Sequence, residues 1–545
     1  MIKIPAQKLL LLLLLVSLAT AVQAETGRYR LSWRDDPATT MTIGFEFSAG
    51  REVYVALGER FGGTDPAAYP IKVGPAKTTI AKGMRTCFVR LSGLNPETVY
   101  HFIVVDDLGV SRPMSFETAP NRIDRRLSFI AGGDSRNHRE SRQHSNRMVA
   151  KLRPHGVIFS GDMTNTDGPT EWKEWLDDWQ LTISPDGRLY PIIPARGNHE
   201  SDNEGIAELF DVPNPNIYYS LNFCDGMFTL LTLNSMIPVQ GDQLNWLKRE
   251  LNKYSRSIWK MTQYHNAMRP HTSQKLERDD LVKFWAPVFY KYGVDLVMES
   301  DAHVVKQTYP IRPGGGLDSD EGFIRDNARG TTYIGEGGWG APLRANNDNK
   351  EWTIASGRFN QIKWIWVNAN QLEIRTVMTD ESRNAAPVSE SNRFSVPRGL
   401  KLWMPVGSEA LVLTKGMNGA VATAAPPVNR PPGNRPPSIR PGVTNSPTGI
   451  TPTSPSVAKP VKSNGIVRPN SEYQVDIEFI TTKTGPVEVI VITSEMRLFE
   501  KRILPARGPG PYEERVEFPE FPHGIEWQLI VKSHGQVIQK YTLKY

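Results

Sequence analysis

LSFIAGGDSR, Leu127–Arg136, decides the fold: an apolar run of strand length halts at Asp134. The pattern recurs downstream. GVIFSGD (156–162) halts at Asp162, LYPIIPARGNHE (189–200) at Asn198, His199 and Glu200, and VDLVMESDAH (294–303) at Asp301 and His303. Stretches with helical spacing lie between, RESRQHSNRMVAKL (139–152) and PTEWKEWLDDWQ (169–180). Buried strands alternating with amphipathic helices describe an α/β domain. In such a domain the chemistry gathers where the strands' C-terminal ends meet their loops. We expect it over residues 121–400.

Working outward, residues 25–120 hold short alternating runs such as RYRLSW, MTIGFEF, REVYVALG and VYHFIVVDD, broken by turn signals. They read as a β-sandwich of immunoglobulin or fibronectin size. Residues 401–465 are expected to be a linker. Its most biased part, Pro426–Pro460, has 11 prolines, four basic residues, and no acidic or aromatic residue. Such a segment cannot bury a core. Residues 466–545 return to strands, from YQVDIEFIT to QVIQKYTLKY, and predict a C-terminal β-sandwich.

At 545 residues the chain is too long for one core. Its two cysteines, Cys87 and Cys224, exclude a disulfide scaffold and a cysteine-built zinc cluster, and read as separate buried thiols. The formal charge of +6 is matched by Lys3 and Lys8 near the N-terminus together with Arg430, Arg435, Arg440 and Lys459 of the Pro-rich segment. The folded parts are therefore near neutral, which argues against a nucleic-acid groove. Lys3 and Lys8 flank the start of the apolar run Leu9–Leu15, and small residues reach Ala24, as in a signal peptide over residues 1–24. Export to the periplasm, cell surface or medium is expected, with no transmembrane segment.

Five motifs carry the chemistry in fixed order: GGDSR, SGDMTN, GNHE, QYHNAM and SDAHVV. They supply Asp134, Asp162, Asn198, His199, His265, Asp301 and His303. Carboxylate, amide and imidazole ligands with one shared carboxylate suit a pair of divalent cations, which clamp a phosphoryl displacement and activate water near neutral pH. An aspartate ending one strand is commonplace; five such junctions in this order are not.

On these motifs the chain resembles the calcineurin-like metallophosphoesterases, specifically the purple acid phosphatase branch with its N-terminal fibronectin-like domain. The resemblance implies a central β-sandwich flanked by helices, holding two divalent or mixed-valence ions drawn from Mn, Fe, Zn and Mg. It assigns Asp134, Asp162 and His303 to the first metal, and Asp162, Asn198, His265 and Asp301 to the second. It gives His199 the role of contacting phosphate or protonating the leaving group, with Glu200 orienting it. The implied substrate is a phosphorylated small molecule, and the implied reaction is monoester hydrolysis. Phosphodiester hydrolysis of nucleotides or phospholipids stays open, as does a catalytically degenerate binding module.

Three positions depart from the family pattern. Asn165 stands where the branch has a tyrosine, which removes the charge-transfer colour. Asp301 replaces an imidazole and favours harder ions. Arg136 replaces a superfamily histidine and suits a phosphate clamp. Arg269 and His271 read equally well as pocket-lining or surface residues, His138 and His144 as solvated or capping. Trp172, Trp175 and Trp179 read as a core stripe; Trp339, in the glycine-rich TTYIGEGGWGAPLR, could cover substrate, although glycines there serve tight turns in any case. The C-terminal strands resemble, on a looser motif with Trp527 and Lys540, the sorting domains of type IX secretion, implying secretion machinery or surface attachment.

Overall fold

The computed structural model describes residues 25–316, 318–415 and 421–423, and in the tail 465–467, 474–481, 485–493, 498–517, 526–533 and 536–544. The expected signal peptide and the Pro426–Pro460 segment lie outside the described residues. The chain divides into two units, Met1–Pro426 and Pro427–Tyr545.

Two sheets form the heart of the first unit. In one, Leu127–Gly132, Gly156–Phe159 and Pro191–Pro194 run parallel, flanked by the antiparallel strand Gln361–Val367. In the other, Phe228–Thr232, Trp259–Asn266, Leu296–Ser300 and Thr332–Gly335 run parallel. The inner faces share one apolar core, in which the Phe129 ring lies 5.1 Å from that of Phe223 and 5.2 Å from that of Phe228. Helices cover the outer faces. Arg139–Leu152 and Pro169–Trp179 cover the first sheet, where Trp172, Trp175 and Trp179 are buried as a core stripe and Trp175 meets Phe159 edge-on. Asp242–Lys253 and Ala286–Tyr292 pack Leu247, Leu251 and Phe289 into the core beyond the second. This is the expected β-sandwich flanked by helices. Because parallel strands end on a common edge, each sheet delivers its loops to one place.

Residues 26–117 supply both sheets of the N-terminal sandwich, but one sheet does not stop at the domain boundary. Thr26–Ser32 pairs in parallel with Pro191–Pro194, Leu31 opposite Pro191 and Ser32 opposite Ile192. Met41–Phe47, Met84–Leu91 and Lys77–Ala81 then extend the first sheet to eleven strands. Leu31 and Trp33 are buried in the same core as Ile192, so the boundary at residue 120 crosses continuous packing. The start of the expected linker also needs correction. Leu411–Lys415 pairs with Gln371–Met378 and Val421–Thr423 pairs with it in turn, because Leu413 finds a buried position on that sheet.

In the second unit, Gly465–Val467, Gln536–Lys544, Glu526–Ser533, Gly485–Thr493 and Leu498–Arg507 form one sheet, and Gln474–Thr481 pairs with Gly510–Glu517 in another. Cys87 and Cys224 are both buried and unpaired. Among the described residues, no helix is long and apolar enough to cross a membrane.

Candidate metal centre

The first sheet delivers Asp134, Asp162 and Asn198 just beyond its parallel strands; the second delivers His265, Asp301 and His303. To turn a carboxylate back over the sheet edge the chain must bend sharply. Asp134, Asp162, Asp301 and His303 all adopt positive φ, between 54° and 70°. Each such residue costs about 1–3 kcal/mol, and strain of this kind collects at functional sites. Two glycines give the carboxylates room. A Cβ on Gly197 would collide with Asp162, and one on Gly337 with Asp134.

These turns bring two donor groups together: Asp134, Asp162 and His303, and Asp162, His265 and Asp301. Asp162 belongs to both. All five residues are buried, and within each group the ligand atoms lie within 4.8 Å of one another. The imidazoles are fixed from behind. His265 Nδ1 lies 2.8 Å from the Ser160 carbonyl and His303 Nδ1 lies 2.7 Å from the Pro342 carbonyl. Each Nδ1 must therefore carry the proton, which aims the Nε2 lone pair into the centre.

There each Nε2 meets further acceptors. His265 Nε2 is 3.1 Å from Asn198 Oδ1, 3.3 Å from Asp162 Oδ1 and 3.5 Å from Asp301 Oδ1; His303 Nε2 is 3.0 Å from Asp134 Oδ1. Acceptors converging on acceptors repel unless a proton or a cation lies between them. Asp162 Oδ2, buried, accepts no hydrogen bond from any described residue. The donor set is oxygen and imidazole, which divalent ions of the first transition row take readily. The residues present fit two metal ions.

Without metal, protons take up part of that role. Burial alone would lower the His265 imidazole, but Asp162 and Asp134 overcome it and raise it well above its usual value. Burial pushes the Asp162 carboxyl up, yet His265 and then His199 hold it below the usual carboxylate range. Asp301 is likewise held low against burial, first by Lys275 and then by His265.

His199 and Glu200 do different work from what their adjacency suggests. His199 Nδ1 lies 2.6 Å from the Asn165 carbonyl, which turns Nε2 toward Asp162 Oδ2, 3.9 Å away. Burial lowers its pKa. Glu200 was expected to orient His199 and does not. Its carboxylate is buried and accepts three main-chain N–H groups, from Gly197 (2.7 Å), Met163 (2.8 Å) and Asp162 (3.0 Å). It is a positioning residue that ties the GNHE turn to the Asp162 turn. Burial, and then the Asp162 charge, push it up to about 7.

Arg136 faces the centre. Its Nε is 3.5 Å from Asp162 Oδ2, and its terminal nitrogen donates to the Asn165 side chain at 3.1 Å. The other weighed residues sit elsewhere. Arg269 is buried, donating to the Glu321 carbonyl and Asp279; His271 is buried against Thr353. His144 pairs with Asp380, and His138 is exposed at the helix start. Trp339 is core, its ring 5.1 Å from that of Phe159.

Three further contributors were not among the expected site residues. Lys275 forms an ion pair with Asp301, Asn266 donates to the same carboxylate at 3.0 Å, and Arg344 donates to its main-chain oxygen at 2.7 Å. Lys275 sits in a loop without motif, whereas Asn266 follows His265 within QYHNAM and Arg344 closes the glycine-rich stretch GGWGAPLR that holds Trp339.

Residues 130–305, which span this centre, match the calcineurin-like phosphoesterase family. The chain carries a calcineurin-like metallophosphoesterase domain. Members of that family are described as phosphoesterases, and the family's fold implies two metal ions. The metallophosphoesterase domain has curated relatives of low identity. Purple acid phosphatase 23 of Arabidopsis thaliana is 26% identical over 277 residues, 42% of this chain and 59% of that one. An uncharacterized Mycobacterium tuberculosis protein is 24% identical over 322 residues, 48% of this chain and 60% of that one. This chain thus spans about 60% of the relatives' length. In fold, the purple acid phosphatase PPD1 from yellow lupin (Lupinus luteus) seeds matches with a TM-score of 0.56 at 16% identity, covering 66% of this chain and 73% of that one.

Proposed function

We propose that the protein is an exported, dinuclear metal-dependent phosphoesterase acting on phosphate monoesters of small molecules. The observation that carries the reading is Asp162, buried and common to two donor groups whose imidazole lone pairs face other acceptors. When bound, the ions supply charge neutralisation for the phosphoryl oxygens and lower the pKa of a water near neutral pH. The chain's own groups do the rest. Asp134 and His303 anchor one side, and Asn198, His265 and Asp301 the other. Arg136, with its Nε buried and unbonded among the described residues, is placed to hold a phosphoryl oxygen. His199, held through Nδ1, presents Nε2 to the same space and can pass a proton to the leaving oxygen.

The test compares p-nitrophenyl phosphate with its bis-ester, with Mn, Zn, Mg and Fe each supplied and bound metal counted. Two equivalents of metal with faster turnover of the monoester support the reading. Faster diester turnover moves the substrate class to diesters, and absence of metal moves the protein to a binding role. The leader pattern supports export, and the C-terminal strands support a delivery or attachment role for the tail. Fractionation of the full chain and of a chain ending near residue 426 tests both.

A further inference from the structure

The two donor groups differ in what already holds their carboxylates. The Asp134 carboxylate faces His303 Nε2 and accepts one main-chain N–H, from Asp301 at 2.8 Å. Among the described residues, no lysine or arginine forms an ion pair with it. In the other group both oxygens of Asp301 are engaged. Oδ2 accepts from Asn266 at 3.0 Å, and Oδ1 pairs with the Lys275 ammonium. That Oδ1 is also the oxygen 3.5 Å from His265 Nε2, so it is the one a cation between His265 and Asp301 would use. A positive charge of the chain's own already stands there.

We infer that Lys275 is a resident counter-charge that weakens the second cation position, so that the two ions are taken up in order, the Asp134–His303 side first. The inference rests on the dinuclear reading above. For an ion to engage Asp301 Oδ1 the ammonium must withdraw, and nothing comparable must move at Asp134. Lysine is suited to withdrawing, being a point charge on a flexible four-carbon stem. Its side chain is 19% exposed, at the rim of the site, which gives the head a route to water. By linkage, the free energy needed to break the Lys275–Asp301 pair is subtracted from the second ion's affinity and leaves the first untouched. When metal is scarce the molecule therefore stands half-loaded, and the second ion sets its output.

The test is a titration of the full chain, stripped of metal by chelation, with Mn(II), following free Mn(II) by electron paramagnetic resonance and bound metal by elemental analysis. The wild type should take up two ions in separate steps, the second weaker by roughly 10–100-fold, the range of intramolecular couplings. Lys275→Met should tighten the second step by roughly tenfold or more on the same scale and leave the first unchanged. Lys275→Arg, which keeps the charge, should retain both steps. Two equally tight ions in the wild type, or a second step that Lys275→Met does not tighten, overturn the inference and leave the dinuclear reading standing. Absence of a second bound ion from both the wild type and Lys275→Met at saturating Mn(II) overturns both. Should Lys275→Met not fold, Lys275→Gln replaces it, and the wild-type titration decides on its own.

Discussion

The Glu200 carboxylate is bonded to the main chain of Asp162: Oε2 accepts the Asp162 N–H at 3.0 Å, while the same carboxylate gathers Gly197 and Met163. The metal-facing turn and the GNHE turn are thus one hydrogen-bonded piece. Glu200→Ala leaves three buried N–H groups unpaired, each worth about 1–3 kcal/mol. We expect a lower melting temperature and weaker binding of both metals, with unchanged sensitivity to leaving group in the activity that remains. A variant that melts and loads like wild type would dismiss this role.

Asp162→Asn should remove activity by orders of magnitude and release both ions together, because the shared carboxylate serves both donor groups. Elemental analysis beside turnover decides. Full occupancy with near-normal rates would end the dinuclear account.

His199→Ala should keep its metal and lose roughly 10²–10⁴ in kcat, the scale of general acid catalysis. The loss should shrink for esters with good leaving groups, which need less protonation. Equal losses across a leaving-group series would reduce His199 to orienting the substrate.

Loaded with iron, the protein should stay colourless in the visible range. The residue in the tyrosine's place, Asn165, lends its carbonyl to His199 and its amide oxygen to Arg136, so no phenolate stands there. A tyrosinate–iron absorption band would show that another tyrosine reaches the metals.

Acid should destabilise the first unit through His155. Burial, and then the Arg393 charge, depress its imidazole to about 3, from a usual value near 6.5. Between these values the folded chain binds fewer protons than the unfolded one, so stability is present above about 6.5 and falls as pH drops toward 3. Its ring contacts the Ser128 N–H at 3.0 Å and Arg393 at 2.9 Å. His155→Gln should melt with a shallower pH dependence over that window; an unchanged slope would place the acid sensitivity elsewhere.

The α/β core was legible because a strand ending in a ligand leaves two marks at once, an apolar run and a polar stop. That double mark located Asp134, Asp162, Asn198, Asp301 and His303, the motif QYHNAM added His265, and the structure gathers all six. Glu200 was misread because sequence adjacency to His199 says nothing about where a buried carboxylate finds its donors. Lys275 was invisible because an ion pair across a loop has no periodicity. The N-terminal strands were found, but their junction with Pro191–Pro194 was not, since parallel pairing between distant segments leaves no local trace.

That junction bears on anyone who would re-use the catalytic half. Cutting the chain at residue 120 would strip Pro191–Pro194 of a neighbour and bare a flat, apolar edge, an invitation to aggregate. The exposed rim would sit four residues from Asn198. A working graft must therefore carry Thr26–Ser32 and the strands beside it, so that what looks like a detachable accessory behaves as the outer wall of the catalytic building.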